Sequence, residues 1–230
     1  MARGVLGVRR IGHGGTLDPL ATGLLALLVG ASTRETERLH TAPKVYDALV
    51  RFGTETATDD REGDATRSAA APRGASDVEA ALVPLRGAIQ QVPPAYAAVK
   101  VGGRAAYARA RGGEIVELAA REVQVHRLEM TDWNPPDARL LIVCGSGTYV
   151  RSIARDLGRA LGSAAHLAAL RRLAIGALDV NDAVGIEALR TAGRDAAVAR
   201  LRVVDESTLA LPRRYLEESP GKIVGAGGRT

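Results

Sequence analysis

Apolar residues along this chain come in short runs broken by glycine, proline and polar clusters. Their spacing predicts a succession of helices and strands. Asp18 and Pro19 have the character of a helix N-cap and first helical residue. Leu20, Leu24, Leu27 and Leu28 then share a face, which predicts a helix over 19–30. Residues 44–52 fit a strand, with imperfect alternation, and the polar stretch 54–75, with Gly63, Pro72 and Gly74, predicts an exposed loop. A short helix follows from Ser76 to Leu85, with Ser76 as N-cap and Glu79 at the capping-box position. Pro93-Pro94 turn the chain into a strand reaching Lys100, and 104–111 predict a short helix closed by Gly112-Gly113.

Val123 to Met130 and Arg139 to Cys144 predict two strands joined by the turn Asn134-Pro135-Pro136-Asp137. After Gly145-Ser146-Gly147 the spacing of Arg151, Ile153, Leu157 and Leu161 predicts a helix ending at Gly162. A second helical segment is predicted from Ala164 to Arg172, another helix over 186–201, and a glycine-rich tail over 212–230. Strands and helices do not alternate as βαβ units, and the middle of the chain has hairpin spacing. The expected fold is α+β, with a largely antiparallel mixed sheet flanked by helices.

A chain of 230 residues holds one large domain, or one domain with a short appendage. At that length folding buries about 70% of the unfolded surface, so no disulfide or metal staple is needed. Cys144 is the single cysteine, which excludes a disulfide framework and reads as a core residue. The longest aliphatic run, Leu24 to Val29, is far short of a bilayer span, and the first ten residues lack the apolar core of a signal peptide. A cytoplasmic protein is expected. Of 31 basic residues only Lys44, Lys100 and Lys222 are lysine, and the arginine excess suits phosphate recognition as well as GC-rich coding. Arg151, Arg155 and Arg159 recur every fourth residue and Arg171 and Arg172 follow, against the lone acid Asp156. On a helix the first three form a basic stripe, which favours a polyanionic partner over an ordinary solvated face.

The densest small-residue stretch runs from Gly12 to Gly23 and contains Asp18. Its glycines let a ligand approach the backbone closely, and Asp18 could be presented to a substrate or could simply cap a helix. The stretch lacks the Gly-Lys-Ser/Thr of a phosphate loop and the glycine spacing of a dinucleotide site. The four histidines, at 13, 40, 126 and 166, show no ligand spacing, so no metal site is expected. Gly145-Ser146-Gly147 is half of a serine-nucleophile elbow. An arginine just beyond it, at 151, could hold a carboxylate brought from elsewhere ionised, or form a plain structural ion pair. Tyr46 is either a core aromatic or a ring on which a base packs.

Five stretches together resemble the TruB family of tRNA pseudouridine synthases. They are Gly12 to Gly23, Lys44-Val45-Tyr46, Pro93 to Tyr107, Gly147 to Gly158, and His166 to Arg172. They follow the family's order, and it is the ordered set that is specific. The resemblance implies a pseudouridine-synthase-like catalytic domain over 1–211 and a tail or remnant of an RNA-binding domain over 212–230. It implies Asp18 as nucleophile, Arg151 as its partner, and Tyr46 packing on the base and taking the C5 proton. His13, Asp60, Tyr149 and Leu170 would contact the uridine, and Arg155, Arg159, Arg171 and Arg172 the RNA backbone. Neither metal nor organic cofactor is implied. The partner would be the T-loop and T-stem of tRNA, with the target uridine at tRNA position 55. A monomer without membrane association or an obligate protein partner is expected.

Two departures from the family pattern stand out. The usual strand and Lys-Pro-x-Gly segment before Gly12 are missing, and 212–230 is too short for a PUA-like domain. An alternative is therefore an RNA-binding or RNA-folding protein with lost or reduced catalysis, and a third is a related synthase acting on another RNA.

Overall fold

The computed structural model describes residues 1–97, 100–101, 104–105 and 118–216, the two short pieces by their backbone alone. The chain opens with helix α1 (Ala2–Leu6) and three short strands, β1 (Ile11–His13), β2 (Ala21–Gly23) and β3 (Leu27–Val29). Helix α2 (Thr36–Thr41) leads into β4 (Lys44–Phe52), the small hairpin β5 (Thr54–Thr56) and β6 (Ala65–Ser68), then helix α3 (Ala75–Leu82) and β7 (Gly87–Gln91). Strands β8 (Lys100–Val101) and β9 (Arg104–Ala105) pair with each other. The second half holds β10 (Arg121–Asn134), β11 (Asp137–Cys144), helix α4 (Val150–Ala160), β12 (Ala165–Ile175) and β13 (Leu178–Asp179). Three short helices close it: α5 (Ile186–Thr191), α6 (Arg194–Val198) and α7 (Glu206–Leu209).

One seven-stranded sheet dominates, in the order β13-β12-β4-β11-β10-β7, with β2 added alongside β12. All its pairings are antiparallel except β2 on β12, where Leu170 lies opposite Ala21. Tyr46, Ala48, Val50 and Phe52 alternate onto one face of β4, as do Ala138, Leu140, Ile142 and Cys144 on β11. Helices α3 and α4 bury Val78, Leu82, Ile153 and Leu157 on that face. Burial pushes the Cys144 thiol up to about 12, so it is an inert part of this core. On the opposite face Val45, Leu141, Val143 and Leu173 are covered by Leu211 and Tyr215. Residues 212–216 thus return to the sheet, where the Tyr215 hydroxyl donates to Asp179 at 2.6 Å.

The β10–β11 hairpin, β4 and α4 form where the hydrophobic pattern places them. Six expectations need correction. No helix spans 19–30: Leu24, Ala26 and Leu28 are buried while Leu25 and Leu27 are exposed, a period of two that makes extended chain and strand. Residues 164–172 are not helical either. They begin β12, buried almost throughout, where both faces are covered and no amphipathic period remains. The polar stretch 54–75 contains β5 and β6, and its Glu55, Thr56, Asp59 and Asp60 are buried. Helix α3 starts after Gly74 without a side-chain cap, so Ser76 is not its N-cap. Arg104–Ala105, expected to open a helix, is a strand, while 106–113 and 217–230 lie outside the described residues. The single helix expected over 186–201 is broken into α5 and α6 at Ala192-Gly193. No described helix is long and apolar enough to cross a membrane.

Candidate active site

A cavity of about 780 Å³ opens where the start of β4, the N-terminus of α4, the middle of β12 and the loop 15–19 converge. Asp18, Tyr46, Asp60, Tyr149, Arg151 and Leu170 all line it. Asp18 does not cap a helix. It heads a turn, its carbonyl accepting from the Ala21 amide at 2.9 Å, and its two carboxylate oxygens accept from Arg151 Nε at 2.8 Å and Nη2 at 3.0 Å. Such a bidentate fork fixes the carboxylate in one plane and orientation. The arginine is itself 5% exposed and is held further by the carbonyls of Thr58 at 3.0 Å and Tyr96 at 3.3 Å. Asp60 stands 3.7 Å from the same guanidinium. Its carboxylate accepts from Thr58 Oγ1 at 2.6 Å and from the Glu62 amide at 3.0 Å.

The loop bearing Asp18 is bolted to β12 by Arg172, which is 1% exposed. Its guanidinium donates to the carbonyls of Leu24 at 2.8 Å, Gly15 at 3.1 Å and Thr16 at 3.3 Å. The glycines of this loop are needed for close approach. A Cβ at Gly14 would stand 3.0 Å from that of Leu39, and Gly15 has φ +124°. Residue pairing between β4 and β12 sets Tyr46 opposite Arg172. Burial pushes the Tyr46 phenol up to about 12, against a smaller opposing effect of the neighbouring Arg172.

Tyr149, the residue before α4, is pinned from two sides by a cross-strand pair, Gln91 and Arg121. The buried Gln91 amide binds both its backbone N–H, at 2.8 Å, and its carbonyl, at 3.1 Å. The Arg121 guanidinium lies over the ring, 5.0 Å from its centre.

Not every residue expected at the site reaches it. His13 is exposed on β1 and outside the cavity lining. Arg171 is exposed on the outer side of β12, beside Asp47 and Arg139. Arg155 and Arg172 are not free for phosphates, because both are buried with their donors spent on protein acceptors. Arg159 keeps an exposed side chain but pairs with Glu55 at 2.8 Å. Two of the three arginines of the α4 stripe, Arg151 and Arg155, are thus turned inward onto carboxylates, and only Arg159 keeps a solvent-facing side chain.

Several lining groups are given no role by sequence reasoning, although Lys44 and Tyr96 lie in two of the five stretches. Lys44 lines the cavity with its Nζ on the carbonyls of Leu39 and His40, and burial lowers it to about 8. It is one of only three lysines and stands two residues before Tyr46, which could have marked it. Thr58 and Tyr96 act through backbone carbonyls, for which side-chain patterns hold no trace. Among the described residues no group of three or more His, Cys, Asp or Glu side chains could hold a metal ion. The arrangement offers a fixed carboxylate in the same cavity as a neutral phenol and an apolar wall at Leu170, a setting in which a carboxylate could act as a nucleophile.

The chain is similar in sequence and in fold to known proteins. Residues 3–150 match the model of the TruB family pseudouridylate synthase N-terminal domain, and 151–208 that of the tRNA pseudouridylate synthase B C-terminal domain. The tRNA pseudouridine synthase B of Xanthomonas campestris pv. campestris (strain B100) is 45% identical over 206 residues, covering 88% of this chain and 67% of that protein. The enzyme of the same name from Paracoccus denitrificans (strain Pd 1222) is 41% identical, over 97% of this chain and 78% of its own. Among solved structures, a crystal structure of a Cbf5-Nop10-Gar1 complex matches with a TM-score of 0.62 at 26% identity. That match covers 80% of this chain and 46% of the other, so the chain spans less than half of that relative. A structure of an H/ACA RNP bound to a substrate RNA shares the fold, with a TM-score of 0.58 at 22% identity. The motifs, the sheet that assembles them and the matched lengths lead to one conclusion: the chain belongs to the TruB family of pseudouridylate synthases.

Proposed function

We propose that this protein isomerises a uridine of tRNA to pseudouridine, at the T-loop position 55 implied by its family, with Asp18 as the nucleophile. The observation that carries the reading is the bidentate Asp18–Arg151 pair facing Tyr46 and Leu170 across one cavity. The reaction is a rearrangement: the C1′–N1 bond breaks, the uracil turns, and a C1′–C5 bond forms. N1 gains a proton and C5 loses one, so no redox partner is required. Asp18 assists by an adduct with sugar or base, or by stabilising a glycal-like intermediate. Arg151 keeps the carboxylate aimed throughout, and Tyr46 supports the base and stands where the C5 proton leaves.

The target nucleotide must leave its stack, at a cost of a few kcal/mol. A cavity of 780 Å³ is of the size that encloses a small-molecule guest. Unlike the buried Arg155–Asp59 pair, Arg151 presents its carboxylate to the cavity, with the Asp18 side chain 30% exposed, which favours the enzyme over a binding-only reading. The experiment is chemical mapping of pseudouridine after incubation with unmodified tRNA transcript, with Asp18→Asn in parallel. Product at a single T-loop uridine, absent in the variant while RNA binding survives, is expected. A well-folded parent that yields none overturns the proposal.

A further inference from the structure

Three arginines one helical turn apart on α4 each meet the segment 55–59. Arg151 Nη1 donates to the Thr58 carbonyl at 3.0 Å, Arg155 Nη1 to Asp59 Oδ2 at 2.8 Å, and Arg159 Nη2 to Glu55 Oε2 at 2.8 Å. The middle pair is the buried one, and neither Arg155 nor Asp59 lines the cavity. The other donors of Arg155 are taken by Asp156 at 2.9 Å and the Val92 carbonyl at 2.8 Å.

Asp59 has φ +59°, the left-handed region, alone among described residues other than glycine. Such a conformation costs energy and persists only where its surroundings over-determine it. Here the Leu167 amide donates to the Asp59 carbonyl at 3.0 Å, the Asp59 amide to Thr56 at 3.1 Å, and Arg155 grips the carboxylate. The turn so held aims the Thr58 carbonyl at Arg151 and brings Asp60 to 3.7 Å from the same guanidinium.

The geometry points to Asp59 and Arg155 as a positioning pair: they hold the 58–60 turn that seats Arg151 against Asp18, without touching the substrate. The inference rests on the proposed function for its rate effect, but its geometric part is independent of it. Asp59→Asn tests it, because asparagine tolerates the left-handed region and keeps the shape while the charge is lost. Asp59→Gly, unstrained at this φ, is the second variant should the first fail to fold.

Single-turnover conversion of tRNA transcript is measured beside RNA affinity, and exchange of the Arg151 Nε–H is followed by NMR of the whole chain. Conversion is expected to slow by about tenfold or more, as small displacements of a reacting group do. RNA affinity stays that of the parent, and Nε–H exchange accelerates. Arg155→Gln is expected to leave the salt dependence of RNA binding unchanged. Conversion and exchange both equal to the parent's overturn the inference, as does a fall of about one in the salt slope for Arg155→Gln, the mark of a phosphate contact. A parent that makes no pseudouridine refutes the functional reading alone, and the exchange rate still decides this one.

Discussion

Replacing Arg151 with lysine keeps the charge beside Asp18 and removes the fork. The guanidinium makes four contacts, two to Asp18 and one each to the Thr58 and Tyr96 carbonyls. A lysine ammonium is a point charge on a flexible stem and can serve one carboxylate oxygen, leaving both carbonyls without this donor. Each of the two carbonyl bonds lost in so buried a place costs about 1–1.5 kcal/mol, together roughly 2–3 kcal/mol of stability, while the freed Asp18 oxygen, on a side chain 30% exposed, regains water. For a chain of this size that lowers the Tm by roughly 4–12 °C. The effect on reaction is larger. A carboxylate held at one oxygen swings about the remaining contact, and a displacement near 1 Å at a reacting group costs on the order of 100-fold. Single-turnover pseudouridine formation, measured below the lowered Tm with RNA affinity alongside, is the assay. The rate should collapse while affinity holds. A lysine variant converting tRNA at nearly the parent's rate would refute the claim that the fork, rather than the charge, positions Asp18.

Three further outcomes are expected. Tyr46→Phe should slow conversion by about 10²–10⁴-fold without weakening RNA binding, the usual range for a lost proton-transfer group. With the phenol held near 12, any step that uses its phenolate quickens with pH up to 9 in the parent and not in the variant, and a pH–rate profile reads this. Gly158→Ala sets two effects against each other. Alanine gains about 1 kcal/mol in a helix, but its Cβ would lie 2.6 Å from the Ala165 amide nitrogen on β12. Backbone does not yield as a side-chain tip does, so urea denaturation should report a net loss of about 1–3 kcal/mol, and a gain would show that α4 and β12 part freely. Glu55 is lowered to about 2, chiefly by the hydrogen bond from Arg159, with Arg67 adding to it. Its folded value lies below the unfolded one, so the unfolded chain binds the extra proton. The stabilisation is present above the ordinary carboxylate range and is lost as pH falls from about 4.5 towards 2. Glu55→Gln should therefore lose less stability than the parent between pH 6 and pH 3, a difference that paired denaturation curves measure.

The parts of the fold legible in the chain were those whose signal is local. Asn134-Pro135-Pro136-Asp137 announces the β10–β11 hairpin, and the spacing of Ile153 and Leu157 announces α4. Elements whose period is erased or shared were misread. Leu20, Leu24, Leu27 and Leu28 satisfy a helical face on paper, yet the chain through 24–28 alternates because its even-numbered residues face the cluster around Leu39. Strand β12 is buried along almost its whole length, Arg171 excepted, and a strand covered on both sides has no period to distinguish it from a buried helix.

The same division runs through the site. The ordered motifs, through the family they resemble, single out Asp18, Tyr46 and Arg151 as the groups expected to offer chemistry, whereas residue type alone leaves each with a structural alternative. Which group meets which is a matter of tertiary structure. Asp18 and Arg151 are 133 residues apart, and the acids that neutralise Arg155 and Arg159 lie 96 and 104 residues from them. A row of arginines read along one helix therefore suggests a surface for phosphate. Once β4 and β12 pair and carry residues 55–60 onto α4, the buried part of that row is interior scaffolding. The physical reason is that a buried charge survives only beside its counter-charge, and counter-charges this distant in sequence are supplied by folding, not by local pattern.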